Sequence, residues 1–145
     1  MRRESVGLRL PVQAVERGAW LRDPWLYAAL ALAPTAWLLP APGVSVALWR
    51  LGLLALVEEV VFRGLLQEWL RGRAVFLRSW GPLSLANLVA SVCFAAAHLF
   101  AQPPLWAAAV FFPSLIFGCI WDRHGRILPC VLVHFGYNLF FFHRF

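Results

Sequence analysis

The order of apolar and polar residues divides the chain into five long apolar runs. Each run is near the roughly 20 residues that an α-helix needs to cross the hydrocarbon core of a bilayer. In lipid such a segment satisfies its backbone hydrogen bonds internally only as a helix. The pattern therefore predicts an all-α fold, a polytopic bundle of about five transmembrane helices with no β-strand. The runs are 24–39, which Pro34 is expected to kink, and 45–70, 82–101, 104–121 and 127–143.

Charged residues concentrate between these runs, and their sign predicts an orientation. Arginines occur in the N-terminal segment, at 71–78 and at 122–126, whereas the connections at 40–43 and 102–104 are uncharged. Positively charged connections are typical of the cytoplasmic side. We therefore expect a basic cytoplasmic tail at 1–23 and a single transmembrane domain at 24–145.

Composition supports a membrane protein and argues against nucleic-acid binding. Hydrophobic residues make up 61% of the 145 residues and charged residues 14%, against about 25% charged in soluble domains. The net charge of +6 comes from arginine, with no lysine, but no basic stripe with interleaved aromatic residues is present. The abundance of Arg, Ala, Leu and Pro is typical of a GC-rich bacterial genome, so the inner (cytoplasmic) membrane of a bacterium is the expected location.

The second run contains two adjacent glutamates and an arginine. Glu59 and Arg63 are four residues apart, so they share a helix face and can pair. Glu58 points about 100° away from Glu59 and has no local cationic partner. A purely structural ion pair is the alternative, but it leaves the second carboxylate unexplained. Ionisable groups inside a membrane segment are functional candidates.

Two further runs each carry a histidine. Phe94 and His98 are four residues apart in the third run, as are His134 and Asn138 in the fifth. Asn87 and Ser91 fall close to the stripe of His98. The alternative is that both histidines are satisfied core residues, or that His134 and Asn138 serve as hydrogen-bonding glue between helices.

Together these groups contain the parts of a hydrolytic site. A carboxylate and an imidazole can activate a water molecule, and an imidazole and an amide can donate to an oxyanion. A glutamate and two histidines can instead hold a divalent metal such as zinc. The HExxH spacing is absent, so spacing alone favours no metal.

Three segments in this order resemble the motifs of the CPBP family, the CAAX-processing and bacteriocin-processing intramembrane endopeptidases, also called the Abi family. The family pattern is EExxxR, then FxxxH, then HxxxN. The corresponding segments here are EEVVFRG at 58–64, FAAAH at 94–98 and HFGYN at 134–138. The resemblance extends over about 45–140 and implies a CPBP-like catalytic core.

The resemblance implies roles for these residues in a glutamate-type peptidase that needs no metal or other cofactor. Glu58, together with His98, would activate the attacking water. His134 and Asn138 would form the oxyanion hole.

The other motif residues would support the site. The resemblance implies that Glu59 and Arg63 stabilise the helix and the site, and that Phe94 packs beside His98.

The substrate expected from the resemblance is a peptide or membrane protein. It would be cut near the membrane, in the C-terminal region of a membrane-anchored or lipidated protein or in a sorting-signal tail. Eukaryotic prenyl-protein members have about eight spans, whereas about five are expected here, so prenylation of the substrate stays open. The alternative is a non-catalytic membrane protein, either a transporter or a bacteriocin-immunity-type binding protein, that uses the same polar residues.

Overall fold

Seven α-helices and one small hairpin form the part of the chain described by this computed structural model, residues 18–39 and 42–143. Short 3₁₀-helices cover Ala19–Arg22, Ala33–Leu38 and Ala74–Leu77. The α-helices are α1 (Pro24–Leu32), α2 (Leu48–Glu59), α3 (Glu68–Arg71), α4 (Leu85–His98), α5 (Pro104–Ala109), α6 (Phe111–His124) and α7 (Ile127–Phe142). The hairpin pairs β1 (Ser79–Trp80) with β2 (Leu83–Ser84) in antiparallel register.

The predicted helices are present, but two of them are not regular α-helices. The first changes at Ala33 from α1 to a 3₁₀-helix, next to Pro34, which lacks a backbone N–H. Between α2 and α3 the chain forms a π-helix over Val60–Gln67. π-helical turns are rare in proteins, and those that occur are often found at functional sites.

One helical segment, Pro104–His124, is long and apolar enough to cross a membrane by length and composition. The helices at Leu85–His98 and Ile127–Phe142 are apolar but shorter. The long segment Pro104–His124 comprises α5 and α6. The helix of the fourth predicted run therefore ends three residues beyond its expected end at 121. The count of five spans stays a prediction.

The expectation of no β-strand is wrong at the connection before α4. Trp80 pairs with Leu83 across a two-residue turn whose Gly81 has a φ of 60°. This left-handed conformation is readily available to glycine. Because of the hairpin, α4 begins at Leu85 and not at the predicted residue 82. The Ser84 side chain caps the helix by accepting a hydrogen bond from the Asn87 backbone N–H at 3.0 Å.

Beside its hydrophobic core, the bundle buries several polar side chains and exposes many large apolar ones. Arg63 is 0% exposed, and Gln67 and Asn87 are also fully buried, whereas Trp49 and Leu105 are 70% and 79% exposed. Buried arginine is rare in a soluble protein unless it is paired, and large exposed apolar surfaces mark contact with protein or membrane. Buried polar groups together with exposed apolar side chains suit a bundle surrounded by lipid.

The first helix is fixed to the end of α6 through its N-cap. The Asp23 carboxylate accepts a hydrogen bond from the Trp25 backbone N–H at 3.0 Å and pairs with Arg123 and His124. Burial by itself would raise the pKa of Asp23, but the hydrogen bonds from Arg123 and from the backbone lower it below its usual value. Of the predicted tail at 1–23, residues 1–17 lie outside the described residues, and Trp20 packs in the core.

Candidate active site

A buried guanidinium lies where the π-helix meets α6. The Nε atom of Arg63 donates to Glu59 Oε2 at 3.3 Å, and Nη1 donates to Gln67 Oε1 at 3.1 Å. Its Nη2 atom donates to the carbonyl oxygen and the hydroxyl of Ser114. The predicted Glu59–Arg63 ion pair is therefore confirmed, and Arg63 also reaches a neighbouring helix.

The imidazole of His134 lies between the two adjacent glutamates. Its Nδ1 atom is 2.8 Å from Glu59 Oε1, and its Nε2 atom is 3.6 Å from Glu58 Oε2. The carboxylate of Glu59 is ion-paired and can only accept, so Nδ1 of His134 carries the hydrogen. The ring also stacks on Phe117, with centroids 4.7 Å apart. These contacts hold Nε2 toward Glu58.

The two neighbouring glutamates have different environments. The Glu59 side chain is 0% exposed and is held by Arg63 and His134. The Glu58 side chain is 28% exposed. Because Glu59 is already engaged on both oxygens, Glu58 is the carboxylate of this pair that a water molecule or substrate can approach.

Phe94 separates the two imidazoles. Its ring centroid is 4.6 Å from that of His98 and 5.8 Å from that of His134. The Nδ1 atom of His98 lies 2.9 Å from the Phe94 carbonyl oxygen. A carbonyl only accepts, so Nδ1 is protonated and Nε2 of a neutral His98 is free to accept a proton. Within the described ranges, no hydrogen bond joins His98 to Glu58 or Glu59.

Asn138 lies one turn beyond His134 on α7. It is half-buried, and in the part of the chain that the structure describes its amide makes no side-chain hydrogen bond. A free amide is suited to donate to an incoming group. The structure thus brings Glu58 directly to His134 and places His98 against Phe94, while a single cavity shared by Glu58, His98, His134 and Asn138 stays a prediction.

A groove of about 650 Å³ lies elsewhere on the molecule, between α1 and α6. Its lining includes Trp25, Leu32, Phe112 and Ile116, and none of the predicted catalytic residues. Because the carboxylate and imidazole groups carry the chemistry, the candidate active site is the Glu58–His134 region and not this apolar groove.

Asn87 and Ser91, which share the predicted stripe of His98, bond elsewhere. The Ser91 hydroxyl donates to Asn87 Oδ1 at 3.0 Å, and the Asn87 amide donates to the Leu115 carbonyl at 2.9 Å. Asn87 thus connects α4 to α6, and within the described residues neither side chain hydrogen-bonds to the His98 imidazole.

Sequence reasoning missed several buried partners of the site. Gln67, Ser114 and Phe117 were not singled out, although Gln67 continues the four-residue spacing of Glu59 and Arg63. That spacing was a usable signal for Gln67. Ser114 and Phe117 belong to another helix, and no local pattern indicates which residues of α6 face Arg63 and His134.

Donor geometry gives the zinc alternative no support. Among the described residues, no group of three or more His, Cys, Asp or Glu side chains is arranged to hold a metal ion. Glu58 and His134 are adjacent, which makes two potential ligands and not the three that a catalytic zinc site usually takes from the protein. The absence of a metal requirement stays a prediction, because only an activity measurement tests it.

The family comparison agrees with the motifs. The family model described as type II CAAX prenyl endopeptidase Rce1-like matches residues 40–140. This range holds all three motifs and covers more than half of the chain. No curated protein and no solved structure matches the chain. The match confirms the resemblance to the CAAX-processing endopeptidases, a membrane-embedded family of proteases, and the chain belongs to the Rce1-like family of type II CAAX prenyl endopeptidases.

Proposed function

We propose that this chain is a glutamate-type intramembrane endopeptidase in which Glu58 is the general base. One observation carries the assignment: Glu58 is partly exposed and 3.6 Å from His134, while its neighbour Glu59 is fully buried and ion-paired. A general base must be accessible to the proton that it abstracts. Glu58 meets this condition and Glu59 does not.

The reaction starts with a water molecule activated by Glu58 and His98. One water proton moves to the Glu58 carboxylate as the water oxygen attacks the carbonyl carbon of the scissile bond. When the tetrahedral intermediate collapses, the C–N bond breaks and the departing amine takes a proton from Glu58. Neutral His98 keeps a proton acceptor at Nε2, and this suits a supporting role for His98 in the proton transfer.

The developing oxyanion receives hydrogen bonds from His134 and Asn138. Donation from Nε2 of His134 requires the doubly protonated ring, because Nδ1–H is directed at Glu59. Preorganised donors of this kind stabilise the transition state more than the ground state.

The proposed substrate is a membrane-anchored or lipidated protein, or a sorting-signal tail, cut in its C-terminal region. The apolar exterior of the bundle suits a substrate that arrives through the membrane. The proposal includes about five spans, a bacterial inner membrane and a cytoplasmic N-terminus. The non-catalytic transporter or immunity-type alternative is not favoured, because the family is one of proteases.

The test is cleavage by the purified full-length chain in liposomes. Three peptides are compared: a prenylated CAAX peptide, the same peptide without the prenyl group, and a membrane-anchored sorting-signal tail. We expect cleavage of at least one by the wild type and none by Glu58→Ala. Glu68→Ala, which removes a half-exposed glutamate outside the site, is the matched control and should retain activity. Equal cleavage by wild type and Glu58→Ala would overturn the assignment.

A further inference from the structure

Gln67 joins the charged residues of the candidate site to a second polar region. The residue is fully buried. Its Oε1 atom accepts from Arg63, while its Nε2 atom donates to the Gly118 carbonyl at 3.1 Å and to Asp122 Oδ1 at 2.9 Å. A guanidinium on one side and a carboxylate on the other leave only one favourable orientation of the amide.

The hydrogen bonds continue from Asp122 to the start of the helix that carries His98. Asp122 Oδ2 accepts from the Ser84 hydroxyl at 2.6 Å, and Ser84 caps α4 by accepting from the Asn87 N–H. A continuous polar chain therefore runs from the N-cap of α4 through Asp122, Gln67 and Arg63 to Glu59. It ends at the ring of His134.

We propose that Gln67 is a positioning residue for His134. Resting on the proposed function, this inference assigns to Gln67 the task of holding Arg63 against Glu59, so that Glu59 orients the imidazole. Gln67 hydrogen-bonds to neither Glu58 nor His134, and it acts through two intervening side chains. The same chain of hydrogen bonds fixes the position of α4, which carries His98, relative to α7.

The polarity of the amide makes the proposal testable. In Gln67→Glu the new carboxylate still accepts from Arg63 but faces the Asp122 carboxylate and cannot donate to the Gly118 carbonyl. It also competes with Glu59 for the guanidinium. Adding Asp122→Asn restores a donor opposite the new carboxylate and keeps an amide oxygen as the acceptor for Ser84.

The first measurement is the steady-state kinetics of peptide cleavage per folded molecule. We expect kcat to fall about 10-fold to 100-fold in Gln67→Glu, with KM unchanged, because small displacements of catalytic groups reduce rate. The Gln67→Glu/Asp122→Asn pair should recover part of that loss, because it restores the contact between positions 67 and 122 but leaves the competition for Arg63. Ser91→Ala is the matched control: it removes a buried hydroxyl that is not part of this chain of hydrogen bonds. Its kcat should be unchanged.

The second measurement needs no activity. In protein labelled with ¹⁵N only at its four histidines, the His134 signals are identified by their loss in His134→Gln. We expect the hydrogen-bonded Nδ1–H signal of His134 to shift in Gln67→Glu and to move back toward its wild-type position in the double variant. If Gln67→Glu does not fold, Asp122→Asn alone provides the milder disturbance, with a smaller shift of the same signal.

The outcomes separate the two proposals. An unchanged His134 signal, or unchanged kcat per folded molecule, in Gln67→Glu overturns the positioning role. A fall in kcat that the second substitution does not reverse even in part also overturns it. If the wild type cleaves no peptide, the proposed function fails, and the labelled spectra alone decide whether Gln67 positions His134.

Discussion

At the scale of single residues, environment gives the same side-chain type different roles. Glu58 and Glu59 are neighbours in sequence, yet a turn of about 100° places one beside a partly open region and the other in a closed ion pair. The two histidines also differ. His134 has a carboxylate at Nδ1, and His98 has a backbone carbonyl there.

Replacing Glu58 by glutamine should abolish turnover without unfolding the protein. The amide keeps the size and hydrogen-bonding capacity of the side chain but cannot take a proton from water. Substrate binding, measured with a fluorescent peptide, should persist, and the melting temperature should match that of the wild type. Cleavage by Glu58→Gln at the wild-type rate would contradict its role as the base.

Asn138→Ala tests the oxyanion hole. Removing one preorganised donor should lower kcat by roughly 10²-fold to 10³-fold without eliminating cleavage. Stability should change little, since the Asn138 amide has no hydrogen-bond partner within the described part of the chain to lose. The check is single-turnover cleavage of the peptide that the wild type prefers. A wild-type rate would remove Asn138 from the proposed mechanism.

At the scale of secondary-structure elements, the π-helix and α6 share one buried polar interface. Arg63 and Gln67 approach α6 at Ser114 and Gly118, while Asn87 approaches it from α4. Each contact satisfies a group that has no access to water. The interface consequently depends on complete pairing, since a half-satisfied buried network is costly.

Arg63→Ala should strongly destabilise the bundle. It leaves the fully buried Glu59 carboxylate without its cation, at a cost of about 3–5 kcal/mol. We expect a low yield of folded protein before any specific kinetic defect. Thermal unfolding in detergent is the measurement. A normal melting temperature would show that the ion pair does not support the fold.

Gly118→Ala should disrupt the same interface by steric conflict. A Cβ atom at Gly118 would lie 1.8 Å from Asn87 Oδ1, so the amide would have to leave its hydrogen bonds to α6. Overpacking of this kind costs about 1–3 kcal/mol. In Gly52→Ala, the matched control, the added Cβ meets only Phe135 at 3.9 Å. Thermal unfolding should show a lower melting temperature for Gly118→Ala and an unchanged one for Gly52→Ala.

At the scale of the whole molecule, buried polar groups and exposed apolar side chains suit the membrane-embedded protease family to which the chain belongs. The exposed apolar side chains include Phe112 at 68%, on the helical segment long enough to cross a membrane. Electrostatic interactions between buried groups are stronger than those in water, because the protein interior has a lower dielectric constant. The buried charges are therefore held by paired groups from several helices.

Exhaustive chelation should leave cleavage intact. In the proposed mechanism Glu58 and His98 activate the water, so no ion takes part. The test is peptide cleavage after dialysis against EDTA, compared with the untreated enzyme. Loss of activity that zinc restores would replace the glutamate mechanism with a metal-dependent one.

The sequence by itself determined the helical class, the family and the Glu59–Arg63 pair. Each depends on local order: apolar runs, three motifs with four-residue spacing, and an i,i+4 contact on one helix face. The hairpin at 79–84 was missed because its two-residue strands are too short to produce a period-two pattern. The π-helix over 60–67 likewise has no periodic signature distinct from an α-helix.

Only the tertiary structure decided which groups meet across helices. It joined His134 to Glu59, placed Ser114 on Arg63 and continued the polar chain from Gln67 to Asp122. Spacing along one helix predicts which side chains share a face, but the rotation and relative position of two packed helices depend on all of their side chains together. Contacts between distant parts of the chain therefore follow from packing of the whole bundle and not from any local pattern.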